Sequence, residues 1–174
     1  MISKPQPGEY NDYYHKYIES LPAQADILDF LQKQRQDVVQ LLGRVSEPEA
    51  DFAYEPGKWS IKELLGHMND TERIMSYRAL CIARGEQSAL PGFDENVYVT
   101  NAYFKERTLS GLLAEHQIVR EATLALFDTL PAPAISRIGN ANGSPVSVAA
   151  LAFIIAGHER HHLNILKERY LVKL

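Results

Sequence analysis

Ser147-Val148-Ala149-Ala150-Leu151-Ala152-Phe153-Ile154-Ile155-Ala156-Gly157-His158-Glu159-Arg160-His161-His162-Leu163-Asn164-Ile165-Leu166 decides how this chain folds. At about 100° per residue, Leu151, Ile154, Ile155, His158, His162, Ile165 and Leu166 share one stripe of roughly 120°, so the spacing predicts a helix over 147–170 with Ser147 as its cap. The apolar run from Val146 to Gly157 stops at His, Glu and Arg, well short of the roughly 20 residues that span a bilayer. It reads as a buried helix, and no membrane partner is expected.

Three further helices are legible toward the amino terminus. Ile27, Leu28, Leu31, Val38, Leu41 and Leu42 recur at three- and four-residue steps, predicting a helix over 23–45 that Glu47-Pro48 ends. Ser60 and Glu63 form a capping box ahead of Ile61, Leu64, Leu65 and Met68, predicting a helix over 60–84 closed by Gly85. A third runs over 108–129 with Leu109, Leu112, Leu113, Val119, Leu124 and Phe127 on one face. Between the last two lies the connection Ala89-Leu90-Pro91-Gly92-Phe93-Asp94-Glu95-Asn96, with a short helix expected over 96–105. The punctuation of Gly139-Asn140-Ala141-Asn142-Gly143-Ser144-Pro145 suggests a small hairpin. Residues 1–22 read as an extended arm whose tyrosines lie over the body of one domain spanning 1–174. Four helices, each roughly 33 Å long, without strand–helix alternation, predict an all-α antiparallel four-helix bundle.

Composition narrows the function classes. The chain has 174 residues, 45% hydrophobic, with a formal net charge of -4, which gives no basic footprint for nucleic acid. A lone cysteine, Cys81, cannot form an internal bridge, and the amino terminus lacks the apolar run of a secretory signal; a cytoplasmic protein is expected. A homodimer through an exposed helix face is a further expectation.

Chemistry concentrates in the histidines. His158 and His162 straddle the centre of the apolar stripe, one turn or about 6 Å apart, so both imidazoles can turn toward one ion. A lone histidine on an apolar face is ordinarily a core residue satisfied by one partner, but two in this register form an i, i+4 ligand pair. His67, aligned with Leu64, Thr71 and Ile74 on the second helix, is the best third ligand. His116 competes from the third helix, and His161 sits at the stripe's edge. The same pentapeptide spells H-E-x-x-H, yet metalloproteases of that motif take a third ligand downstream, where Glu168 is the sole acid. Glu159 and Asp70 are the candidate proton-moving carboxylates, Asp70 lying three residues from His67.

Pro56-Gly57-Lys58-Trp59-Ser60-Ile61-Lys62-Glu63-Leu64-Leu65-Gly66-His67, Leu90-Pro91-Gly92-Phe93-Asp94-Glu95 and Gly157-His158-Glu159-Arg160-His161-His162-Leu163-Asn164-Ile165-Leu166 together resemble the DinB/YfiT superfamily of small metal-binding bundles. The resemblance implies an up-down-down-up topology with a long crossover at Pro91-Gly92. It also implies metal ligands at His67, His158 and His162, and zinc or nickel as the divalent ion. Related proteins include metal-dependent hydrolases and S-transferases that use a low-molecular-weight thiol. The expected function is therefore a metal-dependent hydrolase of a small molecule, with thiol transfer or non-catalytic metal or stress-ligand binding as alternatives.

Overall fold

A computed structural model describes residues 2–24 and 26–173. The helices are α1 (His15–Glu19), α2 (Ile27–Leu42), α3 (Glu47–Ala50), α4 (Ile61–Ala83), α5 (Glu95–Ala102), α6 (Leu109–Asp128), α7 (Ala132–Ile135) and α8 (Val148–Ile165), and the strands β1 (Ile138–Ala141) and β2 (Ser144–Ser147) pair as an antiparallel hairpin before α8. Among the described residues no helix is long and apolar enough to cross a membrane.

Each long helix begins at a side-chain cap that satisfies otherwise orphaned amides. Asp26 accepts from Leu28 and Asp29 N–H, Thr108 from Gly111 N–H and Ser147 from Ala150 N–H. At α4, Ser60 Oγ accepts from Glu63 N–H while the Glu63 carboxylate accepts from Ser60 N–H at 2.7 Å. α2, expected from Ala23, starts at Ile27, because the Asp26 carboxylate sets the start. Glu47-Pro48 opens the short α3 behind Ser46, proline being compatible with a first helical turn. In the hairpin, Asn142 and Gly143 both take positive φ, 53° and 75°, as a two-residue turn of that hand requires.

Topology follows from which ends share a core. One apolar cluster joins the start of α2 (Ile27, Leu31) and of α8 (Val148 to Ala156) to the end of α4 (Met75 to Ala83) and of α6 (Phe127). The other joins Val38 and Leu42 near the end of α2, Leu163 near the end of α8, and the first turns of α4 and α6. Thus α2 and α8 run one way, α4 and α6 the other, giving an up-down-down-up bundle. α4 packs on α6 and α8, and α2 on the same two, so α2/α4 and α6/α8 lie on the diagonals.

Two expectations are revised by packing. The last α-helix ends at Ile165 and passes into a π-helical turn, Leu166–Tyr170, whose Tyr170 hydroxyl donates to Trp59 C=O at 2.7 Å. Residues 1–22 are not simply extended: a 3-10 turn, Asp12–Tyr14, leads into α1, which lies on α8. That contact explains why α8 is buried on all sides from Val148 to Glu159, not along one stripe alone. Gly157 permits it, since a Cβ there would overlap the Tyr17 carbonyl.

Candidate metal centre

His67, two turns into α4, meets His158 and His162 of the antiparallel α8 between the two apolar clusters. The Nε2 atoms of His67 and His162 each lie 3.0 Å from His158 Nε2, and the three rings stand edge to face with centroids 4.4 to 5.1 Å apart. All three side chains are buried. Burial pushes the His67 imidazolium down to about 4, and burial with the neighbouring imidazoles pushes those of His158 and His162 well below the ordinary histidine range. The rings are therefore neutral at pH 7, the form that ligates metal. Metal–nitrogen bonds of 2.0–2.1 Å in tetrahedral geometry place ligand nitrogens about 3.3 Å apart, so this donor set fits one divalent ion with little adjustment.

Local sequence holds the rings in place. Gly66 lies flat against the Phe104 ring, which a Cβ would overlap, and this seats the α4 turn that carries His67. Trp59, its carbonyl fixed by Tyr170, tilts against His67 with centroids 4.8 Å apart. Tyr17 stands edge-on to His158 at 5.7 Å and tilts over His161 at 5.3 Å.

The triad opens into a cavity of about 580 Å³, within the usual range for small-molecule sites. Its wall along α4 is His67, Thr71, Met75 and Arg78; Tyr14 and Tyr17 of the amino-terminal segment, Phe93 and Glu95 of the crossover, and His161 complete much of the rest. The stripe through His67 and Thr71 was visible in the sequence, and its continuation by four and three residues to Met75 and Arg78 was the signal for these wall residues. Nothing in the periodicity pointed to Tyr17, which depends on a contact 140 positions away in the chain.

The other candidates go elsewhere. Glu159 does not line the cavity: its carboxylate accepts from Arg120 Nη2 at 2.6 Å, and burial, outweighing Arg120, pushes it up to about 7. Arg120 also donates to both Glu72 carboxylate oxygens at 2.8 Å and to Leu31 C=O at 2.7 Å, so one guanidinium ties α2, α4, α6 and α8 together. His116 belongs to this cluster, with Nδ1 3.2 Å from Asn69 Oδ1 and Nε2 3.5 Å from Glu159 Oε2. Glu72, His116 and Glu159 could geometrically bracket a cation, but Arg120 already supplies one. Asp70 is also absent from the cavity wall and faces Arg73 at 3.9 Å; burial raises its carboxyl above the usual range. His15 lies against the Tyr10 hydroxyl at 3.3 Å.

Comparison with known families matches residues 31–166, from α2 to the end of α8, to the DinB superfamily. The chain belongs to the DinB superfamily. Among solved structures, this DinB protein resembles YfiT from Bacillus subtilis, described as a probable metal-dependent hydrolase with an unusual four-helix bundle topology. The TM-score is 0.77 at 17% identity, over 98% of this chain and 93% of that one, which establishes a shared fold. No curated protein sequence matches the chain.

Proposed function

We propose that this DinB protein is a metal-dependent hydrolase of a small organic molecule, with one zinc or nickel ion held by His67, His158 and His162. The observation that carries the reading is the convergence of three buried, neutral Nε2 atoms at a cavity of ligand size. An ion held by three imidazoles keeps positions open and supplies Lewis acidity and an activated water near neutral pH. The likeness to YfiT supports the same reading.

The protein's own groups then bind and orient. Tyr17, its phenol held protonated by burial and by the neighbouring Tyr13, is a donor beside His158 and suits a developing negative charge. Thr71 Oγ1 is buried in the same wall and has no hydrogen-bond partner among the described residues, leaving it free for substrate. His161, a solvent-exposed imidazole that also lines the cavity, is the one available to hold or pass a proton there. Glu159 acts in this reading as a positioning group, fixing α8 against Arg120 next to His158, while Asp70 faces Arg73 on its own helix and takes no part.

Metal analysis of the purified protein, followed by a panel of esters and amides with and without added low-molecular-weight thiol, tests the proposal. Hydrolysis that tracks ion content and needs no thiol is expected. Turnover only with thiol would replace hydrolysis by group transfer, and stoichiometric ion without turnover would leave a binding protein.

A further inference from the structure

Arg78 is 4% exposed and lines the cavity, yet among the described residues no carboxylate lies within ion-pair distance of its guanidinium. Its partners are uncharged: Nη2 donates to Pro91 C=O at 2.7 Å, Nη1 lies 3.6 Å from Met75 Sδ, the guanidinium stands 5.9 Å from the Phe93 ring centroid, and the Tyr14 phenol adjoins it. A buried cation ordinarily has a counter-ion, because desolvating a charge without one is costly. Arg120, the other buried arginine, has two. The carbonyl and the ring orient the Arg78 fork without neutralising it.

We infer that Arg78 binds a carboxylate of the substrate, so that the hydrolysed compound carries a negative head group at one end and its reacting group at the other. This rests on the reading of the cavity as the substrate site. Eleven residues separate His67 from Arg78 on one face of α4, about 16 Å along the axis at 1.5 Å per residue, and helical side chains lean back toward the amino-terminal end. The substrate is therefore elongated, passing Thr71, whose hydroxyl has no partner among the described residues, and flanked by Tyr14 and Phe93. Arg78 is the only lysine or arginine in the wall, and Glu95, which also lines it, lies outside ion-pair distance of the guanidinium, so the fork is open to one carboxylate. A planar carboxylate matches the guanidinium fork in two parallel hydrogen bonds.

Trp59, the one tryptophan, lines the same cavity and reports its occupancy. The protein as purified, its ion content measured alongside, is titrated with 4-phenylbutyrate and with the uncharged 4-phenylbutanamide, following Trp59 fluorescence. The acid is expected to bind at least tenfold more tightly than the amide. Arg78→Met should cut that preference at least tenfold at unchanged ion content, Arg78→Lys should retain part of it, and Phe93→Leu, which removes the ring but not the charge, should retain most. Equal binding of acid and amide by the unaltered protein overturns the inference, as does a preference that survives Arg78→Met or an absence of binding by either compound at millimolar concentration. Because the readout is binding, it stands apart from hydrolysis: a failed substrate panel with intact acid preference strikes the hydrolase reading alone, and lost preference with intact turnover strikes Arg78 alone.

Discussion

Arg120 Nη2 donates to Glu159 Oε2 at 2.6 Å, so the residue next to His158 in sequence is pinned toward α6 and away from the cavity that the three histidines line. Replacing Arg120 with Met leaves the Glu72 and Glu159 carboxyls buried without their cation. The expected loss is about 3–5 kcal/mol, read by urea unfolding. Removing both acids as well, in Arg120→Met/Glu72→Leu/Glu159→Leu, should recover much of it, whereas an additive loss would show that the cluster is not one electrostatic unit.

His67→Ala, His158→Ala and His162→Ala should each lose stoichiometric ion, while His161→Ala keeps it. Elemental analysis after dialysis decides this; full ion content in all three variants would remove the site. Added ion at about 100 times its dissociation constant should stabilise the unaltered protein by about 2.7 kcal/mol, and the three variants far less.

Stability should fall with acidity. Burial, with the Arg120 charge adding to it, pushes the His116 imidazolium down to about 4, below its value of 6.5 in the unfolded chain. Between these values the unfolded state binds more protons, so this contribution is fully present above pH 6.5 and is lost as pH falls toward 4. Its size is roughly 3 kcal/mol. Glu159, raised to about 7, acts with the opposite sign: its contribution is present below pH 4.5 and lost as pH rises through 7. His116→Gln should flatten the acid side of the stability profile, and an unchanged profile would rule out His116 as its source.

Gly157→Ala should push α1 away from α8, because the Tyr17 carbonyl occupies the place of the new methyl group. A loss of about 1–3 kcal/mol is expected, with faster amide hydrogen exchange in His15–Glu19. Unchanged exchange in that helix would show that the close approach is not what holds it.

Periodicity sufficed for the long helices because Ser60, Thr108 and Ser147 announce their starts and apolar spacing their faces. It also brought His67, His158 and His162 together, since depth along two antiparallel helices follows from residue count. It misplaced Glu159, which lies outside the apolar stripe and reads as solvent-facing or catalytic. The partner that buries it, Arg120, is on another helix, and a charge pair across a bundle leaves no mark in local sequence. Tyr17 escaped for a related reason, relying on a distant glycine, whereas Arg78 was within reach because the stripe through His67 and Thr71 continues to it.

α8 follows the other α-helices in sequence, and it touches α1, α2 and α4. During synthesis His67 leaves the ribosome 91 residues before His158, an interval of roughly 5–18 s at 5–20 residues per second. Until then α1 has no surface to lie on, and the three nitrogens cannot meet. α1 is thus made before α8 but settles after it, and capture of an ion by all three histidines would certify that α8 has been made and docked.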